Sequence, residues 1–193
     1  MYITRKYLTL YSLLLDNYRV FQDINGKTWM IRKGEEKRLA NNPLVKPGTL
    51  DDIELLCNAL CDKVLYSYPM SWGESLNRLR DKLTPVANLD PAVAHYGVKR
   101  ILFPVEELRG DIMVLRFDRM IPTGSLRVAW EDDFGGKGRF YSDFRSDGTD
   151  FVIPMSAFPN WYLSRKRKNL QIIFPAMPDP CPRVVECSFW NRK

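Results

Sequence analysis

Large apolar residues recur at steps of three and four along the first eighteen positions of the chain. This spacing places them on one face of an α-helix, so the pattern predicts an amphipathic helix over residues 2–18. An apolar face of this size is unfavourable in water, so we expect it to contact the rest of the chain or another subunit. The stripe consists of Ile3, Tyr7, Leu10, Tyr11, Leu14 and Tyr18.

A hairpin follows the predicted first helix. Asn25-Gly26 separates two short apolar runs, and this dipeptide favours a tight turn because it tolerates positive φ. The polar stretch from Lys33 to Gly48, which contains two prolines, is predicted to be a loop.

Two further helices are predicted after this loop. Thr49 and Asp52 have the spacing of a capping box, and apolar residues continue the helical pattern to Leu65. Ser71 begins a second capping signal, before a short helix expected to end ahead of Pro85.

From residue 98 the pattern changes to short apolar or alternating runs separated by turn residues. Such runs are typical of an antiparallel β-sandwich. Seven strands are predicted, namely Val98 to Phe103, Ile112 to Phe117, Ser125 to Trp130, Arg139 to Phe144, Thr149 to Pro154, Leu170 to Phe174 and Arg183 to Trp190.

The predicted fold class is therefore α+β. An N-terminal helix, a β-hairpin and a helical pair precede an antiparallel, jelly-roll-like β-sandwich. We expect a mainly helical region over residues 1–96 and a β-sandwich domain over residues 97–193.

Charge is spread along the chain. Lys and Arg number 29 against 23 Asp and Glu, which gives a net charge of +6. Residues 1–96 and 97–193 are both mildly basic, so neither half is a basic arm of the kind that many nucleic-acid binders carry. The one basic run, Arg165, Lys166, Arg167 and Lys168, is either a solvated surface or a contact for a polyanion.

No stretch has the ~20 apolar residues that cross a bilayer, so no transmembrane segment is predicted. Polar residues follow the first apolar run where a leader peptide would have its cleavage site. We therefore expect a cytoplasmic chain, with peripheral membrane association left open.

The spacing of the four cysteines favours core thiols over a zinc site, and Cys181 and Cys187 are candidates for a bridge in an oxidising compartment.

Few residues of the chain have the chemistry or the sequence context of catalytic groups. His95 is the single histidine, no Gly-x-Ser-x-Gly elbow occurs, and no cysteine has the local sequence of an activated nucleophile. The sequence therefore favours a non-enzymatic protein with no catalytic residues, no protein-bound metal and no cofactor.

Loop carboxylates next to aromatic residues form the main candidate binding site. Calcium would suit their oxygens, and a pair of them would also suit glycoside hydrolysis. Flat aromatic rings beside acids recognise sugars, because a pyranose has an apolar face and a rim of hydroxyls. The candidate binding residues are Trp130, Glu131, Asp132, Asp133, Tyr141, Asp147 and Trp161; the alternative is that the rings fill the core and the acids form turns.

The segment from Phe151 to Ser164 is a strand ending in proline followed by an aromatic-bearing turn. It leads into the alternating strand Asn169 to Phe174. Over residues 98–190 this pattern resembles jelly-roll, galactose-binding-like accessory modules of polysaccharide-processing proteins. The resemblance implies a jelly-roll fold, but it assigns no ligand-binding residue in this chain.

Three functions remain open. The first is a non-enzymatic binding or assembly subunit that recognises a glycan through its β-sandwich, with a protein partner or a second copy of the chain. The second is a nucleic-acid-associated subunit that uses a basic surface including Arg165 to Lys168. The third is a glycoside-directed enzyme that uses loop carboxylates.

Overall fold

The computed structural model of the chain describes residues 2–35, 46–65, 81–121, 126–134, 139–144 and 149–193. The chain forms two compact units, Met1–Pro69 and Met70–Lys193. The boundary expected after residue 96 lies inside the second unit, because the strand Leu83–Leu89 pairs with the C-terminal strand Val184–Arg192. None of the described helices is long and apolar enough to span a membrane.

The first unit combines two helices with a small antiparallel sheet. Its sheet has the strand order β2-β1-β3. The elements are α1 (Tyr2–Asn17), β1 (Tyr18–Gln22), β2 (Thr28–Arg32), β3 (Lys46–Pro47) and α2 (Leu50–Leu65).

The local predictions for this unit are confirmed within its described residues, except that the loop predicted from Lys33 to Gly48 contains the short strand β3. Leu10 and Leu14 of the apolar stripe are fully buried, and α1 contacts both α2 and β1. Tyr18 is also buried, but it begins β1 instead of ending the helix. Gly26 has a φ of 75° at the hairpin turn, a conformation that glycine adopts at little cost.

Asp52 closes the first turn of α2. The Thr49 backbone N–H donates to its Oδ2 at 2.6 Å, and the Thr49 hydroxyl donates to the same atom at 3.1 Å. Gln22 Nε2 donates to the other carboxylate oxygen at 2.6 Å. These bonds, the one from the Thr49 N–H above all, hold the pKa of Asp52 below its usual value of 3.8.

Replacing Asp52 by Asn is expected to lower the thermal midpoint of the first unit at pH 7. Because the folded-state pKa lies below 3.8, the stabilisation is complete above that pH and is lost as the pH falls through the folded-state pKa. The difference between the two proteins should therefore shrink in acid. Circular dichroism melts at pH 7 and about pH 3 test this, with Glu54→Gln on the exposed face of α2 as the control; a difference independent of pH would contradict it.

The second unit contains two antiparallel sheets. One has the strand order β10-β7-β12-β4 and the other the order β5-β6-β11-β8-β9. The strands are β4 (Leu83–Leu89), β5 (His95–Tyr96), β6 (Arg100–Phe103), β7 (Ile112–Phe117), β8 (Leu126–Asp132), β9 (Arg139–Phe144), β10 (Asp150–Ile153), β11 (Arg167–Ile173) and β12 (Val184–Arg192), and a short helix α3 covers Pro159–Leu163.

The coarse fold class is confirmed, because the described chain has helices and antiparallel sheets and is mostly strand. All seven predicted strands are present, although the strands β4 and β5 were not predicted. Residues 71–80 of the predicted second short helix lie outside the described residues, and Leu83 begins β4 instead of ending a helix. Pro85 is tolerated in β4 because this is an edge strand, where a missing N–H breaks few ladder bonds.

Both sheets contribute to one hydrophobic core. Phe117 of β7 meets Phe174, which follows β11, at a ring distance of 5.9 Å. Trp161 of α3 meets Trp130 of β8 edge-to-face at 5.0 Å and stacks on Phe189 of β12 at 5.8 Å. The rings therefore connect the two sheets through α3.

Replacing Phe189 by Ala is expected to lower the free energy of unfolding of the second unit by about 3–5 kcal/mol, because a large buried ring is lost. Val185 lies on the same strand and is half exposed, so Val185→Ala should change it by less than about 1 kcal/mol. Urea denaturation of the two variants tests this. Equal losses would contradict the placement of Phe189 in the core.

Three described cysteines are free thiols. Cys57 and Cys187 are buried, as predicted for core thiols, whereas Cys181 is exposed. The suggested bridge between Cys181 and Cys187 is not formed, because Cys187 lies in the core of β12 while Cys181 lies on the surface. Burial raises the pKa of the Cys187 thiol far above its usual value.

Candidate functional site

A polar cleft lies at one end of the second unit, where β6 and β10 end and β11 begins. Its volume is about 440 Å³. We call it the arginine cleft and define it by Glu107 to Asp111, Ser156, Trp161, Tyr162, Arg165 and Arg167.

Trp161 forms the inner wall of the arginine cleft. Pro159, whose fixed φ suits the first position of a helix, begins α3. Trp161 is 1% exposed, and its indole Nε1 donates to the Gly110 carbonyl at 2.9 Å. This bond ties the β6–β7 connection to α3, so the two sides of the cleft are joined at its base.

A bulge in β11 positions Arg167. Arg167 lies opposite Asp132 and Lys168 opposite Glu131, but the register with β8 then shifts between Lys168 and Gln171. The extra residue is accompanied by a φ of 53° at Asn169. The bulge reverses the alternation, so that Arg167 shares the core-facing side of the sheet.

The Arg167 guanidinium lies over the Trp161 ring, with its central carbon 4.8 Å from the ring centroid. Its Nη2 donates to the Ser164 carbonyl at 2.8 Å. Its Nε is buried and has no hydrogen-bond partner among the described residues. The cation is therefore held in a fixed place by stacking and by one hydrogen bond.

Burial lowers the pKa of Arg167 below its usual value. Asp133, Asp111 and Glu107 attract the cation and oppose this shift, but burial is the larger effect. Arg167 stays charged at any ordinary pH. The protein thus holds a partly desolvated cation whose burial the nearby carboxylates do not fully offset.

The two carboxylates of the cleft, Glu107 and Asp111, have partners within the cleft. Arg109 Nη2 lies 2.7 Å from a carboxylate oxygen of Glu107, and the Ser156 hydroxyl donates to Asp111 Oδ1 at 2.7 Å. The Tyr162 ring at the rim is 40% exposed. Guanidinium groups, carboxylates, a hydroxyl and an exposed aromatic ring therefore lie together in the cleft.

No family model, curated protein or solved structure matches this chain. The chemistry of the arginine cleft is therefore the basis on which a function is proposed. A cleft of this composition can donate and accept hydrogen bonds and can present one flat apolar surface to a small polar ligand.

The stacking surface predicted for Trp130 and Trp161 is not present. Trp130 is fully buried and Trp161 is 1% exposed. Both rings lie in the aromatic core, because burying such large rings there is more favourable than leaving them in water.

Two of the predicted loop acids take part in local structure. Glu131 lies 3.7 Å from the Lys168 ammonium, and Asp132 Oδ1 accepts from the Phe134 backbone N–H at 3.0 Å. This N–H belongs to the turn after β8, so Asp132 fits the alternative interpretation, in which the acids form turns.

Asp133 lies next to the arginine cleft, at the end of α3. Its Oδ1 accepts from the Ser164 hydroxyl at 2.8 Å and from the Arg165 N–H at 3.2 Å. Tyr141 belongs to β9, whose side chains are not described, and Asp147 lies outside the described residues. No group of three or more His, Cys, Asp or Glu side chains that could hold a metal ion occurs in the described part of the chain.

The basic run from Arg165 to Lys168 is divided between surfaces. Arg165 and Lys166 are exposed, Arg167 lies against Trp161, and Lys168 approaches Glu131. The run contributes two members to the arginine cleft instead of presenting four side chains on one face.

The sequence did not point to five of the cleft residues with polar side chains. Ser156 and Tyr162 belong to the segment from Phe151 to Ser164 that carries the resemblance, and that was the only signal for them. Glu107, Arg109 and Asp111 lie in a connection between strands, where charged residues are common. Only the fold brings these two segments together.

Replacing Gly110 by Ala is expected to open the arginine cleft. Gly110 has a φ of 119°, and an added Cβ would lie 2.9 Å from Phe189 Cβ. The strain should cost about 1–3 kcal/mol of unfolding free energy and weaken the Trp161 bond to the Gly110 carbonyl. Denaturation and tryptophan fluorescence test this, with Gly97→Ala as the control because a Cβ there would lie 3.4 Å from its nearest neighbour; equal effects would contradict it.

Proposed function

We propose that this protein is a non-enzymatic binding or assembly subunit whose second unit binds a glycan in the arginine cleft. The observation that carries the proposal is the convergence of guanidiniums, carboxylates and a hydroxyl beside the exposed Tyr162 ring. The site differs from the one expected from the sequence, which relied on two tryptophans that are buried.

Sugar chemistry matches this set of groups. Hydroxyls both donate and accept hydrogen bonds, so they suit a surface that carries guanidiniums and carboxylates together. The apolar face of a pyranose suits an exposed phenol ring such as that of Tyr162. A volume of about 440 Å³ falls within the range of sites for small ligands.

We infer that the second unit is a jelly roll. Eight strands run from β4 to β12 when the short β5 is counted as an addition to β6. In this count the first strand pairs with the eighth, the second with the seventh, the third with the sixth and the fourth with the fifth, and successive pairs alternate between the two sheets. A long hairpin wound into two sheets has this order, which supports the jelly-roll assignment.

The fold assignment and the sequence resemblance support the same proposal without deciding it. Jelly rolls occur in lectins, and also in capsid and cupin domains, so the fold alone does not choose a function. The resemblance over residues 98–190 to galactose-binding-like modules favours the lectin-like use of the fold.

The other two functions have less support. A nucleic-acid interface would need a continuous basic face, whereas Arg167 lies on Trp161 and Lys168 approaches Glu131. A glycoside-directed enzyme would need two carboxylates free to act on the substrate. In the cleft, Glu107 is engaged by Arg109 and Asp111 by Ser156.

Replacing Tyr162 by Ala is expected to weaken glycan binding about threefold to tenfold, because one stacking surface is lost. Tyr162→Phe keeps the ring and should bind nearly as well as the original protein. Tyr96 is the control ring, because it is 42% exposed against 40% for Tyr162 and lies at the other end of the sheets, where its hydroxyl accepts from the Val184 N–H at 3.1 Å.

A glycan array with the full chain would identify ligands, and calorimetry would measure the affinities of the variants. An array without any bound glycan would contradict the proposed function. Equal losses for Tyr162→Ala and Tyr96→Ala would contradict the assignment of the site.

A further inference from the structure

We propose that the arginine cleft selects acidic glycans, and that Arg167 binds the acidic group of the sugar. The inference rests on the proposed function and names its ligand class. The acidic group is a carboxylate or a sulfate ester, since both present two or more oxygens to a guanidinium.

The Arg167 guanidinium is pre-organised for such a contact. Stacking on Trp161 at 4.8 Å and the 2.8 Å bond from Nη2 to the Ser164 carbonyl fix the plane of the guanidinium. A fixed fork loses little side-chain entropy on binding, which favours a directional contact with an anion. Of its five N–H donors, the described contacts use one.

The charge balance of the cleft also favours an anion. Arg109, Arg165 and Arg167 contribute three positive charges to the lining, against two negative charges from Glu107 and Asp111. Glu107 is directed to Arg109 at 2.7 Å, so it does not form an ion pair with Arg167. Asp133, which is not part of the lining, also attracts Arg167, but its Oδ1 already accepts from the Ser164 hydroxyl and the Arg165 N–H. An acidic ligand would therefore still meet an excess of positive charge on the lining itself.

Partial burial strengthens this preference. Arg167 has lost part of its hydration, as the buried and unpartnered Nε shows. Attraction between charges is stronger in such a place than in open water. A neutral sugar would supply only hydroxyl oxygens, whereas an acidic sugar would add the attraction of opposite charges and could bind two N–H groups of the guanidinium at once.

The first experiment compares ligands on the unmodified full chain. The probes are galacturonic acid oligomers, the same oligomers as methyl esters, neutral galactose oligomers, sulfated galactose oligomers and short single-stranded DNA. We expect the uronic acid or the sulfated oligomers to bind at least about tenfold more tightly than the esters and the neutral oligomers. Which of the two binds tells carboxylate from sulfate recognition.

The second experiment replaces Arg167. Arg167→Gln should lower the affinity for the acidic oligomer about tenfold or more, while the affinity for the neutral oligomer changes little. Arg167→Lys keeps the charge but not the planar fork, so it should restore only part of the affinity. Arg100→Gln is the matched control, because Arg100 is an exposed arginine at the other end of the same sheet.

Arg165→Gln provides a second test within the cleft if the Arg167 variants do not fold. Because Arg165 is exposed, this variant should keep the fold and weaken acidic binding severalfold. Raising the salt concentration should weaken binding of the acidic oligomers more than that of the neutral ones.

The outcomes separate the inference from the function on which it rests. Equal affinity for acids, esters and neutral oligomers would overturn acid selection while leaving glycan binding intact. Acid binding that survives both Arg167→Gln and Arg165→Gln would overturn the assignment to this cleft. Binding of DNA with no binding of any glycan would overturn both.

Discussion

The contact of Trp161 with the core is the interaction on which the second unit and its cleft both depend. The ring packs edge-to-face against Trp130 of one sheet and stacks on Phe189 of the other. Its indole N–H donates to the Gly110 carbonyl, and the Arg167 guanidinium lies over the ring. One side chain therefore joins two sheets, a loop and the cation of the cleft.

This arrangement couples the stability of the unit to the geometry of the site. A change that moves the indole also moves Arg167, because stacking is one of only two described contacts that fix the guanidinium. The buried Nε of Arg167 is the unfavourable part of the arrangement. A partly desolvated cation costs stability that a bound anion can recover, which is why such costs are common at binding sites.

Much of the fold could be predicted from the sequence because its signals are local. The stripe containing Leu10 and Leu14 specifies a helix with one buried face, and the capping box at Thr49 specifies where the next helix begins. Alternation specified seven strands of the second unit. The signal failed at β4, where Pro85 indicated an end to regular structure but the edge of a sheet tolerates it.

The sequence by itself determined the helices α1 and α2, most strands and the spread of charge, because hydrophobic periodicity and capping act between residues a few positions apart. Tertiary structure alone decided which side chains meet. A single extra residue at Asn169 turned Arg167 toward the core side of its sheet and left Lys168 beside Glu131. Packing between the sheets and α3 also buried the two tryptophans and brought the connection around Gly110 against α3. Such contacts depend on strand register and on packing between distant segments, and no local pattern in the chain records them.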